Sequence, residues 1–121
     1  MDLQLLAWSR RAEITCDRAG LIVVKDLQVS MKGLMKLAVG SKKLYEELNV
    51  DEYLRQYEDG KRGVGRLAEL FASHPYVPKR VQALKVFSET ALYREKAGLG
   101  TGGITMSECD ARTHEIIKVI G

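Results

Sequence analysis

The sequence predicts an all-α protein, a small helical domain of about five to six helices. Apolar residues recur at intervals of three and four along most of the 121 residues. Residues that cap helix N-termini stand before several of these periodic stretches. The best strand-like run, Leu21–Val24, has no second such run to pair with, so we assign it to a helix.

The first helix is predicted from about Leu3 to Val24, and its apolar residues wrap most of the way round it. They are Leu5, Ala12, Cys16, Ala19 and Val23 on one side and Leu6, Gly20 and Val24 on another. The polar strip consists of Arg11, Thr15 and Arg18. A helix this apolar is either buried between neighbours or packs against a partner outside the chain. Gly20 costs the helix ~1 kcal/mol relative to Ala, and we expect it to admit a second helix.

A second helix is predicted from about Val29 to Val39, after a break at residues 26–28. Gly40 is well placed as its C-terminal cap, because glycine tolerates the left-handed conformation that often ends a helix. Ser41 can then cap a short helix over residues 42–48.

A capping box opens the next helix. Asn49 is followed three residues later by Glu52, so that each side chain can bond the other's backbone N–H. The helix is expected to run through Tyr57. The glycines at 60, 63 and 65 predict a flexible segment before helix resumes at residues 67–71.

Pro78 predicts the start of a long helix that reaches about Lys96. Proline suits the first helical position, and it disfavours helical geometry at the preceding Val77.

Residues 98–103 are predicted to be a flexible linker. Their glycines fit the pattern Gly-x-Gly-x-x-Gly, but they follow a helix instead of a strand, so a dinucleotide site is not indicated. A second capping box, Thr105 and Glu108, starts the last amphipathic helix. Its apolar residues include Ile116, Ile117 and Ile120.

Charge does not indicate a nucleic-acid partner, because the net charge is only +3. Residues 41–60 carry three basic and six acidic side chains, whereas residues 61–95 carry seven basic and three acidic. The basic part has no dense Lys/Arg block and no interleaved aromatics, so we interpret it as a solvated surface.

The two cysteines indicate a reducing compartment, and the apolar runs do not predict a membrane span. Cys16 and Cys109 are far apart and lie in no metal-binding spacing, which favours reduced structural thiols. No apolar run approaches the ~18 residues of a membrane span, and the start lacks the features of a signal peptide. We therefore expect a cytoplasmic location for this chain.

The candidate chemistry lies in the first helix, where Glu13 and Asp17 are one turn apart on an otherwise apolar face. Two acids in such a place are costly to desolvate unless a cation meets them. Arg10 can supply that cation, an ion pair centred on Arg18 is another possibility, and a metal ion is a third. The residues alone leave these alternatives open.

Two motifs carry a family resemblance. The string Arg-Arg-Ala-Glu-x-x-Cys-Asp-Arg-Ala-Gly at residues 10–20 resembles the second zinc motif of the HtpX-like and CAAX-prenyl-protease-like zinc metallopeptidases, which are gluzincins. Ser73-His74-Pro75, followed by Arg80, resembles the family's His-Pro-x-x-x-x-Arg segment. Together the two motifs cover roughly residues 5 to 92. The resemblance implies that the helices form part of a metallopeptidase fold.

The resemblance also implies roles for individual residues. Glu13 falls on the third zinc-ligand position, and Asp17 falls on an aspartate that accepts a hydrogen bond from a ligand histidine. His74, before Pro75 at the end of a helix, can donate a hydrogen bond to the oxyanion of the tetrahedral intermediate. The alternative is that it is a helix-end residue that caps a backbone carbonyl. Independently of the resemblance, Arg80 lies one turn into its helix, so we expect it to be structural and to pair with a carboxylate, Asp17 being the first candidate.

One departure from the family pattern is decisive for activity. The chain has two histidines, His74 and His114, and no His-Glu-x-x-His motif. We therefore expect residues 1–96 to be the C-terminal part of a longer metallopeptidase domain, with 97–121 as a glycine-rich linker and terminal helix.

Several expectations follow from this division. Zinc would bind in the parent protein and not in this chain, which would be inactive alone. Its partners would be the upstream segment with His-Glu-x-x-His and a peptide or protein substrate, and the parent is expected to be membrane-associated. The isolated chain can also self-associate through its apolar faces. The alternative is a non-enzymatic helical module for protein interaction.

Overall fold

The computed structural model describes residues 2–39, 46–47, 49–60 and 71–118. The helices with defined bounds are α1 (Leu3–Val24), α2 (Leu27–Ala38), α3 (Val50–Gly60), α4 (Val77–Ser88), α5 (Ala91–Lys96) and α6 (Met106–Ile117). No strand is found in these ranges, where the extended pairing is a single bridge between Thr90 and Ile104. The predicted all-α class is therefore confirmed.

Aspartates begin the first two helices. Asp2 accepts a hydrogen bond from the backbone N–H of Gln4, and Asp26 accepts one from that of Val29. Because Asp26 is the cap, α2 begins at Leu27, two residues earlier than predicted. Lys25 ends α1 in the left-handed conformation, with φ of 58°.

Two of the three predicted N-terminal capping residues, Asn49 and Thr105, are confirmed, and the third, Ser41, lies outside the described residues. Asn49 Oδ1 accepts from the N–H of Glu52 at 2.7 Å, and Thr105 Oγ1 accepts from that of Glu108 at 3.1 Å. The cap expected at Gly40, residues 61–65 of the predicted flexible segment and residues 67–70 of the helix expected over 67–71 lie outside the described residues. Gly60, the predicted start of the flexible segment, is the last residue of α3. Of the short helix expected over 42–48, only residues 46–47 are described, and both are helical.

The single long helix predicted from Pro78 to Lys96 is wrong, because the chain breaks it into α4 and α5 at Thr90. The Thr90 hydroxyl caps α5 by accepting from the N–H of Tyr93 at 3.0 Å. The backbone on either side of Thr90 pairs with Ile104, whose N–H donates to the carbonyl of Glu89 at 3.0 Å. This non-local pairing stops the helix. At its other end, α4 begins at Val77, so Pro78 is the second helical residue.

The core is organised around α4, which packs against α1, α2, α3, α5 and α6. Its buried residues include Val81, Leu84 and Phe87. They join residues from the other helices in one cluster, which contains Leu21, Met31, Met35, Val50, Tyr53, Tyr93 and Cys109. Since Cys109 belongs to α6, the terminal helix shares this core.

The helix α1 has one buried face and one exposed apolar face. Ile14 and Leu21 are buried against the neighbouring helices. On the far side, side chains recur at intervals of three and four, and we call this row the exposed stripe. It consists of Leu5, Trp8, Ala12, Cys16, Ala19 and Val23. Trp8 is 65% exposed and Val23 is 80% exposed, so the described residues leave this stripe uncovered.

The neighbour expected beside Gly20 is not found among the described residues. A Cβ atom placed on Gly20 would meet nothing within 4 Å. Within the same part of the chain, no helix has the length and apolar character needed to cross a membrane.

Candidate functional site

Asp17 of α1 and Arg80 of α4 form the best-defined polar contact of the site. Arg80 Nε donates to Asp17 Oδ2 at 2.9 Å, and Nη2 donates to Oδ1 at 2.8 Å. The two side chains are only 9% and 17% exposed. The hydrogen bonds to Asp17 raise the pKa of the Arg80 guanidinium. The predicted pairing is thus confirmed, in the two-point geometry that fixes a carboxylate most firmly.

Asp17 keeps the capacity to accept further hydrogen bonds. Each of its oxygens accepts one bond from Arg80, and a carboxylate oxygen has two acceptor positions. A second donor can therefore approach Asp17 while Arg80 holds it in place.

Glu13 lies one turn before Asp17 and is half-buried. Within the described ranges, no hydrogen bond or ion pair reaches its carboxylate. The ion pair considered between Glu13 and Arg10 is not found there. Instead, the Arg10 guanidinium lies 4.4 Å from the centre of the Tyr76 ring, and its Nη1 donates to the carbonyl of Ile117 at 3.4 Å.

The alternative ion pair centred on Arg18 is present, but it does not involve either acid of the motif. Arg18 Nη1 donates to Asp110 of α6 at 2.8 Å. Arg18 therefore points away from Glu13 and Asp17 and towards the terminal helix.

Tyr76 belongs to the site although the sequence analysis did not select it. Its hydroxyl is buried and has no hydrogen-bond partner in the described structure. Burial raises the pKa of Tyr76 to about 12, with Glu13 and Asp17 adding to the rise and Arg10 opposing it. The phenol is thus close enough to both acids to sense their charge. Its position two residues after His74, inside the His-Pro segment, was the available signal.

His74 follows a helical turn at residues 71–73 and is exposed. Its carbonyl accepts a hydrogen bond from the N–H of Val77 at 3.4 Å, which shapes the entry into α4. No contact of the imidazole with Glu13 or Asp17 is found among the described residues. The catalytic role of His74 stays a prediction.

The described residues offer an incomplete set of metal ligands. They contain no group of three or more His, Cys, Asp or Glu side chains that could hold a metal ion. Glu13 is suited to be one ligand, because it is half-buried and unpaired within the part of the chain that is described. A complete site would need ligands from elsewhere.

Comparison with known proteins finds one matching family and a matching metallopeptidase. A family model described as "Peptidase family M48" matches residues 1–88, and the match ends at the last residue of α4. The chain is 50% identical over 56 residues to "Plastoglobule-localized metallopeptidase 48, chloroplastic" of Arabidopsis thaliana. That alignment covers 46% of this chain and 16% of the relative. No solved structure matches.

Proposed function

Because the chain belongs to peptidase family M48, we propose that it is part of a zinc-dependent endopeptidase of the HtpX-like type. In this proposal the chain supplies Glu13 as the third zinc ligand and is inactive alone. The observation that supports it most is the half-buried Glu13 carboxylate, unpaired among the described residues and one turn from Asp17. Partial burial of a carboxylate costs free energy, and a metal ion bound directly to Glu13 would offset that cost more than the distant charge of Arg80 does.

Asp17 and Arg80 would orient a histidine that binds the zinc ion. Arg80 holds the Asp17 carboxylate with two hydrogen bonds, and the free acceptor positions of Asp17 can take the ring N–H of a ligand histidine. Such a bond fixes the tautomer and the plane of the imidazole. Zinc, when bound, would polarise the scissile carbonyl.

His74 would donate a hydrogen bond to the substrate. It is exposed at the turn that leads into α4, and Tyr76 of the same turn lies close to both acids. A donor at this place can bond the carbonyl oxygen of a peptide as negative charge develops on it. We therefore propose His74 as the residue that stabilises this charge.

The exposed stripe supports a missing partner segment. A groove of about 200 Å³ lies between α1 and α2, and Asp17, Gly20 and Gly33 are among its lining residues. Neither glycine has a neighbour within 4 Å of its Cβ position, so the groove can admit another backbone closely. We propose that the upstream segment with His-Glu-x-x-His packs into this groove, which shares Cys16 with the exposed stripe, and brings its histidines to Glu13.

The test uses the protein encoded by the complete reading frame. Metal analysis should find one zinc per molecule in the wild type, and Glu13→Ala should lose both zinc and proteolysis of a protein substrate. Glu95→Ala, an exposed acid of α5, is the matched control and should keep both. Unchanged zinc in Glu13→Ala, or a reading frame without His-Glu-x-x-His, would contradict the proposal.

The second candidate is the non-enzymatic helical module. It is favoured by ion pairs that join helices, because such pairs stabilise a fold without any metal ion. Asp17–Arg80 and Arg18–Asp110 each join two helices. This candidate predicts a folded Glu13→Ala variant with unaltered partner binding and no zinc in either form. The cytoplasmic location of the chain and the membrane association of the parent stay predictions. The relative is named for plastoglobules of the chloroplast.

A further inference from the structure

We infer that the terminal helix α6 is a positioning element for the acids of α1, and that Arg18 is the main positioning residue. This helix lies beyond residue 88, where the family match ends. The inference rests on the proposed function of Glu13, and it assigns a role in that site to a part of the chain outside the family pattern.

Arg18 makes an extensive set of contacts with α6. Its Nη1 donates to Asp110 at 2.8 Å, and its Nη2 donates to Thr113 Oγ1 at 3.2 Å and lies 3.5 Å from Cys109 Sγ. The guanidinium carbon is 5.2 Å from the centre of the Phe87 ring on α4. The side chain is only 18% exposed. Such a buried guanidinium, bonded to two turns of α6, allows little sliding between the helices.

The contact extends along α1 at intervals of four residues. Arg10 Nη1 donates to the carbonyl of Ile117, near the end of α6. Ile14 is 5% exposed and packs in a small cluster with Ile117 and Ala83. Together with Arg18 these residues form one row, and α6 therefore contacts successive turns of α1.

This row lies directly beside the row that carries the acids. Glu13 follows Arg10 by three residues, and Asp17 follows Ile14 by three, so the two rows are neighbours on the helix surface. Any rotation or shift of α1 against α6 would displace both carboxylates. Arg80 holds Asp17 from α4, and α6 holds the adjacent row. A displacement of about 1 Å in a catalytic site can cost about 100-fold in rate, which makes such support consequential.

The test compares Arg18→Met with Arg18→Lys in the protein encoded by the complete reading frame. Zinc affinity is measured by chelator competition, and kcat and KM are measured separately, at a temperature where circular dichroism shows all variants folded. Arg18→Met should weaken zinc binding by about 10- to 100-fold and lower kcat more than it raises KM. Arg18→Lys keeps the charge opposite Asp110 and should restore part of the loss.

The matched control is Arg112→Met, because Arg112 is also an α6 ion-pair residue but is 46% exposed and bound to Glu89 at 3.6 Å. It should behave like the wild type. If Arg18→Met does not fold, Asp110→Asn answers the question, since it weakens the same contact from the exposed partner. It should give a smaller loss of zinc affinity.

A folded Arg18→Met or Asp110→Asn variant with unaltered zinc affinity and kcat would overturn the inference. Parallel measurement of Glu13→Ala separates the role of α6 from the role of Glu13 as a zinc ligand. Lost zinc in Glu13→Ala with intact zinc in the Arg18 variants refutes the role of α6 alone. Intact zinc in Glu13→Ala refutes the proposed function itself.

Discussion

Arg80 donates one hydrogen bond to each oxygen of Asp17, across 63 residues of sequence, and so ties α4 to α1 beside Glu13. Two features make this pair more than a surface salt bridge. Both side chains are largely buried, and the bonds have the paired geometry that arginine offers to a carboxylate. The site's rigidity therefore depends on a contact between the two motifs that carry the family resemblance.

Removing Arg80 should destabilise the chain strongly. Arg80→Met leaves the Asp17 carboxylate buried without a partner, so we expect the free energy of unfolding to fall by about 3 kcal/mol or more. Urea denaturation followed by circular dichroism measures this change. The double variant Asp17→Asn/Arg80→Met should lose less than the sum of the single variants.

The control for this pair is Arg55→Met. Arg55 bonds Glu52 and Asp59 within α3 but is 59% exposed, so its removal should lower the free energy of unfolding far less than removal of Arg80. If the Arg80 and Arg55 variants lost equal free energy of unfolding, burial of the Asp17–Arg80 pair would contribute nothing to stability.

The free energy of unfolding at alkaline pH should depend on Tyr76. Burial raises its pKa from 10.0 to about 12, so between these values the folded chain keeps a proton that the unfolded chain releases. The free energy of unfolding therefore falls as pH rises through this window. Tyr76→Phe removes this contribution and should lose less stability between about pH 10 and 12. Urea titrations across the window measure the slope, and an identical slope in wild type and variant would refute the assignment.

The exposed stripe should drive self-association of the isolated chain. We expect dimers at high concentration in sedimentation velocity, because apolar side chains such as Trp8 and Val23 are uncovered. Trp8→Lys and Val23→Lys should each weaken the association by about tenfold or more, since each buries a charge in the contact. Thr15→Lys, on the polar strip of α1, should leave it unaltered. A wild-type chain that stays monomeric throughout would exclude the stripe as a self-association surface.

Local signals in the sequence predicted much of the fold. Asn49 and Thr105 start their helices as their side chains predict, because an N-cap is decided within four residues. The pairing of Asp17 with Arg80 could be predicted because both residues lie in motifs whose order and spacing resemble those of one family.

Other features depend on contacts that no local pattern encodes. The break at Thr90 is made by backbone pairing with Ile104, and Arg18 finds Asp110 at a separation of 92 residues. Periodicity alone favoured a continuous helix through Thr90, and it placed Arg18 on a polar strip without indicating its partner. Tyr76 was overlooked for a similar reason, since its burial beside Glu13 arises only when α1 and α4 pack.

Two glycines should respond to alanine with opposite signs. Gly103 has a φ of 123°, and a Cβ there would lie 2.6 Å from the carbonyl oxygen of Glu89 and 2.7 Å from the N atom of Ala91. Gly103→Ala must therefore disturb the backbone pairing that separates α4 from α5, and we expect a loss of about 2 kcal/mol or more. Gly20→Ala meets no neighbour and should stabilise α1 by up to about 1 kcal/mol.

The same Gly20→Ala variant also probes the proposed partner segment. In the isolated chain it should raise the urea midpoint, because alanine favours the helix and the space around it is open. In the protein encoded by the complete reading frame, an upstream helix packed into the groove lined by Gly20 and Gly33 would meet the added methyl group. The gain should then vanish or become a loss, since close helix packing tolerates little added volume. An equal gain in both proteins would mean that no backbone approaches Gly20, and the groove would need a different occupant.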